Sequence, residues 1–311
     1  MKMPFEVPEK KQIRVIINSD AKCEADDQYA IVHAMLSPRL QIKGLIGAHF
    51  GTRSATGAED SYQEILHVLD LMGMNEKYKV VKGANHKIPN ILTPVPSKGA
   101  DLIIEEAMKD DPLPLFVTFQ GPLTDLASAY LQEPRIANRL TAVWIGGGTY
   151  PDGDTEFNLS NDIEAAKVVF DSPIPLWQVP KNVYDMVRVG LAELAVKVRP
   201  HGEIGRYLYE YLIQHNIKNG NRPEWPKGEI WVLGDSPAVS LLLDDQVFDY
   251  DLIEAPEITP EMGYKRKLGN RKIRVYRSVD SRFILEDFYA KLELFIKFNQ
   301  GEVVPGVKGG R

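Results

Sequence analysis

Alternation between short β-branched runs and stretches of helical periodicity is the feature that most restricts what this chain can fold into. Arg14-Val15-Ile16-Ile17 is a strand-forming run that ends at Asn18-Ser19-Asp20. A helical pattern (Tyr29, Ala30, Val32, His33, Leu36) follows from Asp26 and stops before Pro38. The unit recurs: strand 42–46 and a helix through Tyr62, Ile65, Leu66 and Leu69; strand 78–81 and helix 102–108; strand 115–119 and helix 123–131; strand 142–145 and helix 163–170. Such alternation implies βαβ units. The expected fold is α/β, a mostly parallel, Rossmann-like central sheet flanked by helices. The stretch 191–251 reads as largely helical, 271–275 as a late strand and 281–298 as a C-terminal helix. The tail 301–311, with four glycines and a proline, is expected to fray.

A length of 311 residues suits one continuous α/β domain, 1–311. The net charge of −6, from 43 acidic against 37 basic residues with no long basic run, gives no electrostatic reason to expect nucleic-acid or membrane binding. It suits a neutral or cationic small-molecule partner. Cys23 is the only cysteine, which excludes an internal disulfide and a cysteine-clustered zinc site and fits a reducing, cytoplasmic compartment. Residues 1–14 are polar and charged, and the first apolar run, 15–17, is far too short for an export signal or a membrane span.

In open parallel sheets, ligands bind beyond the carboxyl ends of the strands, so the loops 18–26, 47–51, 119–122 and 146–158 should converge on one pocket. The first is unusual. Asp20-Ala21-Lys22-Cys23-Glu24-Ala25-Asp26-Asp27 sets four carboxylates in eight positions. Carboxylates so crowded repel one another and raise each other's pKa, so either a cation sits among them or they are solvated caps of the following helix. Oxygen ligands without histidine or cysteine favour calcium or magnesium over zinc. A second acidic position, Asp235 in Leu233-Gly234-Asp235-Ser236-Pro237, would by itself be an N-cap.

Together these segments resemble the inosine-uridine-preferring nucleoside hydrolase family, in order, from about residue 14 to about residue 245. Ile16-Ile17-Asn18-Ser19-Asp20 and Asp26-Asp27-Gln28-Tyr29-Ala30 match the flanks of the family's opening loop, although 21–25 is two residues longer and lacks the family's proline-glycine pair. Gly121-Pro122-Leu123-Thr124-Asp125-Leu126-Ala127 resembles a family turn that has asparagine at the fifth position. Gly146-Gly147-Gly148, Glu156-Phe157-Asn158 and Asp162-Ile163-Glu164-Ala165-Ala166 match its most specific signature, and Gly234-Asp235 matches an aspartate that the family often precedes with histidine.

The resemblance implies calcium-dependent hydrolysis of the N-glycosidic bond of a ribonucleoside or related N-riboside, in an oligomer of two or four copies. Asp20, Asp27, Asp235 and the backbone carbonyl of Gln120 would hold the calcium. Asp20 would also take the proton of the attacking water. Asp26, Glu156, Asn158 and His49 would contact ribose, His49 standing where the family has an asparagine. Hydrolysis passes through an oxocarbenium-like ribosyl group with water on the face opposite the leaving base, which suits a carboxylate-rich pocket. Gly234 removes the family's leaving-group acid, leaving His86, Tyr150 and Tyr184 as nearby candidates. Trp225 and Trp231 either cover a base or belong to the core.

Three further readings follow from the residues. The longer first loop could shift Glu24 into a ligand role. Cys23 as a nucleophile is disfavoured, because surrounding carboxylates raise a thiol pKa. A calcium-containing ribose or nucleoside binder without turnover is the alternative to a hydrolase. A haloacid-dehalogenase phosphatase would need aspartate where Asn18 stands, and a dinucleotide-binding enzyme would need its glycines after the first strand.

Overall fold

The computed structural model describes residues 3–74, 76–223 and 225–299. The first half runs β1 (Ile13–Ser19), α1 (Asp27–Met35), β2 (Leu40–Gly47), α2 (Gly57–Leu71), β3 (Val80–Lys82), α3 (Lys98–Met108), β4 (Leu115–Gln120), α4 (Thr124–Gln132) and β5 (Leu140–Ile145). Next come α5 (Phe157–Asn161), α6 (Ile163–Asp171), β6 (Leu176–Val179), α7 (Lys181–Tyr184), β7 (Arg188–Gly190), α8 (Leu191–Lys197) and α9 (Gly202–Lys218). The chain continues through β8 (Ile230–Val232), α10 (Pro237–Leu243), β9 (Tyr250–Glu254), β10 (Glu257–Ile258), β11 (Tyr264–Lys265), β12 (Lys272–Tyr276) and α11 (Ser281–Asn299).

Eight strands form one sheet in the order β3-β2-β1-β4-β5-β6-β12-β9, parallel except for the edge strand β9. Every residue of β1 is buried, as a strand covered on both faces must be. Val15 and Ile17 pack on one side, in a core shared with α1, α2, α9, α10 and α11. Ile16 faces the opposite core, built from α3, α4 and α6. This three-layer arrangement is the α/β architecture expected from the alternation. Among the described residues, no helix is long and apolar enough to cross a membrane.

Several elements differ from the sequence expectation. β6 is absent from it because Pro173, Pro175 and Pro180 crowd the four strand residues. The stretch 191–251 is not uniformly helical: β8 lies within it, paired antiparallel with β7, and β9 begins at Tyr250. Both are short, so their periodicity is weak. The expected frayed tail, 301–311, lies outside the described residues.

The sheet order places the site. From β1 the chain moves outward through β2 and β3, then returns to add β4 on the other side of β1, so the topological switch lies between β1 and β4. Ser19, at the end of β1, pairs with Gln120, at the end of β4. The acidic loop therefore starts at the crevice.

Candidate active site

A cavity of about 650 Å³ opens at this switch point, within the range of small-molecule sites. Its lining includes Asp20, Asp26, Asp27, Glu156, Asn158 and Asp235. Oxygens of Asp26, Asp27 and Asp235 lie within 4.8 Å of one another, although 208 positions separate the last two in sequence. Asp235 reaches the group from the turn between β8 and α10. Asp26 occupies the N-cap position of α1 but makes no side-chain capping bond there. Its Oδ2 accepts instead from the Asp235 backbone N–H at 3.2 Å. The solvated-cap reading therefore fails for Asp26, and the longer loop keeps both Asp26 and Asp27 in the cluster.

The two extra loop residues have their own anchor. Lys22 Nζ donates to Glu64 of α2 at 2.5 Å, and Glu64 also accepts from Gln28 Nε2 at 3.1 Å and Tyr207 Oη at 2.5 Å. Gln28 Nε2 holds the Ala21 carbonyl at 2.5 Å. Glu24 lines the cavity and pairs with Arg53 at 3.4 Å rather than joining the three-aspartate group.

Burial first, and neighbouring carboxylates second, push Asp20, Asp26 and Asp235 well above the ordinary carboxylate range. Asp27 is pushed up to about 7, chiefly by burial, although Ser19 Oγ donates to it at 2.5 Å. Beyond burial, Asp235 is pushed up by the charges of Asp26, Asp27 and Asp20 in turn, so the cluster disfavours having all its carboxyls ionised at once. Asp20 Oδ2 and both amide atoms of the Gln120 side chain are buried without a hydrogen-bond partner. Gly121 permits this approach: a Cβ there would stand 3.1 Å from Asp20 Cγ.

Crowded buried carboxylates, an orphaned Asp20 oxygen and an all-oxygen donor set fit an oxygen-seeking divalent cation. The Gln120 carbonyl accepts from the Asp20 N–H at 3.2 Å, which leaves one of its two lone pairs. Cys23 does not compete as a ligand or nucleophile, because burial and then Asp20 push its thiol pKa up.

The crowding has a measurable consequence. In the unfolded chain these carboxyls ionise near pH 4, whereas in the folded protein they hold protons to higher pH. Between those limits the folded state binds more protons, so stability falls as pH rises. With chelator present, the melting temperature is expected to drop by at least about 2 °C between roughly pH 5 and pH 8. Added calcium should abolish the drop by taking the place of the protons. A flat profile in chelator would contradict the crowding.

The remaining expected residues divide. Glu156 is buried with all its acceptors engaged: Oε2 takes the N–H groups of Gly147 and Leu159 at 2.8 Å, and Oε1 takes the Asn158 N–H and Tyr184 Oη at 3.0 Å. Gly147, at φ +86°, turns its N–H onto that carboxylate in a conformation only glycine adopts readily. Asn158 donates Nδ2 to the Ile145 carbonyl at 2.9 Å, leaving Oδ1 as an acceptor in the cavity wall. His49 differs from expectation. It is buried outside the cavity lining, where Nδ1 accepts from the Gly51 N–H at 3.1 Å and Nε2 lies 2.8 Å from Thr124 Oγ1. Thr124 in turn donates to Asp162 at 2.7 Å. Both ring nitrogens are occupied in holding loops together, so His49 presents neither to a ligand in the cavity.

Of the leaving-group candidates, Tyr184 lines the cavity, Tyr150 donates to Gln178 elsewhere, and His86 is exposed outside the lining. Trp225 lines the cavity against the buried Trp231, with ring centroids 5.0 Å apart. Sequence reasoning missed Lys181 and Arg188, which stand at the mouth and whose charges act on Asp185 there.

A family model described as inosine-uridine preferring nucleoside hydrolase matches residues 15–286. Among characterised relatives, an inosine-uridine preferring nucleoside hydrolase from Leishmania major is 34% identical over 117 residues, 36% of each chain. One from Crithidia fasciculata is 36% identical over 96 residues, 30% of each chain. The chain thus spans about a third of the length of these relatives. A solved purine-preferring ribonucleoside hydrolase from Gardnerella vaginalis superposes with a TM-score of 0.73 at 21% identity, over 92% of this chain and 99% of that one, and so shares the fold.

Proposed function

The chain belongs to the inosine-uridine preferring nucleoside hydrolase family, and from that premise we propose that it hydrolyses the N-glycosidic bond of a ribonucleoside or related N-riboside with calcium in its acidic pocket. The observation that carries the proposal is the meeting of Asp26, Asp27 and Asp235, with Asp20 beside them, at the base of a cavity on the sheet's switch point. Asp20, Asp27, Asp235 and the Gln120 carbonyl would hold the ion, the set that the resemblance implies. When bound, it supplies a positive charge that draws water and ribose hydroxyls to the pocket.

The chain's own residues perform the remaining tasks. Asp20 accepts the proton of the attacking water. Asp26 and Asn158 Oδ1 accept hydrogen bonds from ribose hydroxyls and orient the sugar, which contributes on the order of several kcal/mol. Glu156 acts through what it holds, since its two oxygens fix the Asn158 turn and the Tyr184 hydroxyl. The carboxylates stabilise positive charge developing on the ribosyl group. A cytoplasmic location and assembly into dimers or tetramers belong to the same proposal and rest on composition and resemblance.

The test is ribose release from inosine, uridine, adenosine, cytidine and N-ribosyl analogues, with and without chelator. Release from at least one compound, lost on chelation and restored by calcium, is expected. Bound calcium with tight riboside retention and no release across the panel would favour the binding-protein alternative.

A further inference from the structure

A ribosyl–nitrogen bond breaks only if the departing nitrogen can accept the electron pair, and among the described residues neither a histidine nor either expected tyrosine offers the cavity a free acid. None of the six histidines lines it. Gly234 has no side chain to offer. There is also little room to add one, since a Cβ would stand 3.1 Å from Tyr184 Cδ2 and 3.4 Å from Asp26 Oδ2. The Tyr184 hydroxyl is committed to Glu156, and both burial and that carboxylate hold its proton in place. Glu156 receives four donors and is held as the acceptor.

The lining is also strongly negative. Seven carboxylates face it against three cations, Lys181, Arg188 and Lys227, all exposed at the mouth. A divalent ion leaves that balance negative. Trp225 adds an aromatic wall backed by Trp231, a surface that attracts flat cations.

We infer that the preferred substrate is an N-riboside whose leaving group already carries positive charge, an N-ribosylpyridinium, an inference that rests on the hydrolase reading above. The chemistry closes without an acid. The C1′–N bond breaks, its electron pair passes to the ring nitrogen, and the cation departs as a neutral pyridine. The water oxygen bonds to C1′, and its proton passes to Asp20 and then to solvent. A neutral nucleoside needs a proton delivered to its base, or must expel an anion into a ring of carboxylates.

The test uses calcium-loaded protein with N-ribosylnicotinamide against uridine and inosine. The non-hydrolysable carbocyclic counterparts are measured in parallel by calorimetry, which separates recognition from intrinsic bond lability. The cationic riboside is expected to have a kcat/KM at least about a hundredfold higher. Its carbocyclic analogue should bind about tenfold more tightly than carbocyclic uridine, an advantage that shrinks as salt rises from about 0.05 to about 0.5 M. Turnover of uridine or inosine equal to or better than that of the cation, or equal binding of the two analogues, overturns the inference and leaves the hydrolase reading standing. No turnover of any riboside overturns both.

Discussion

Asp20→Ala is expected to lower kcat/KM for ribose release by about a thousandfold, and at the same time to raise the melting temperature of the chelated protein. The first effect is the loss of the proton acceptor and of an ion ligand together, and general-base removal alone costs about 10²- to 10⁴-fold. The second comes from the same side chain. Asp20 is buried, its Oδ2 has no partner, and Asp27, Asp26 and Glu24 all disfavour its charge. Removing an unsatisfied buried carboxyl relieves about 1 kcal/mol or more. Function at this position opposes stability, as is common where an active site stores destabilising charge. Steady-state kinetics and thermal melts in chelator measure both halves; a variant that is inactive and less stable would mark Asp20 as a structural residue.

The second large effect lies beneath the site. Asp125→Ala should destabilise the fold by about 3–5 kcal/mol. The buried Asp125 carboxylate accepts from Asn18 Nδ2 at 2.9 Å, the Ala84 N–H at 2.9 Å and Ser97 Oγ at 2.6 Å, so it ties β1 to the loop after β3 and to the start of α3. Two glycines make room for it: a Cβ on Gly83 or Gly99 would meet its oxygens at 2.3 and 2.9 Å. Alanine would strand two buried donors, Asn18 Nδ2 and the Ala84 N–H, and the half-buried Ser97 hydroxyl, and a buried donor left unpaired costs about 1–3 kcal/mol. Asp125→Asn, which restores the residue the family carries in this turn, keeps one acceptor and should lose about half as much. Denaturant unfolding measures the loss, and a value below about 1 kcal/mol for alanine would refute this role.

Asp125 also shows what was legible in the sequence. The turn from Gly121 to Ala127 is distinctive enough to carry the resemblance, yet what it does is packing: Thr124 and Asp125 join loops together, and Gly121 leaves room for the Asp20 carboxyl. The alternating pattern made the sheet and its order of elements readable, and crowded carboxylates at a strand end marked the pocket. The missing strand β6 was hidden by flanking prolines, which read locally as turns whatever the sheet requires.

Other features were beyond local reasoning because they depend on distant partners. His49 follows a strand at the level of the pocket, but Thr124, 75 positions away, occupies its Nε2. Lys22 reads as an incidental charge in an acidic loop until Glu64, 42 positions on, is seen to hold it. Glu156 reads as a ribose contact from its motif, and only the three-dimensional turn around Gly147 reveals four donors on its oxygens. Carboxylate identity was visible; its occupancy was not.

The most direct test of the account is a calcium titration of chelator-stripped protein in which bound calcium and ribose release from the best N-riboside are measured in the same samples. The account predicts one ion per chain, proton release as it binds, and activity rising in proportion to occupancy. Activity that is unchanged between the stripped and loaded protein, or calcium that binds without displacing protons, would contradict it.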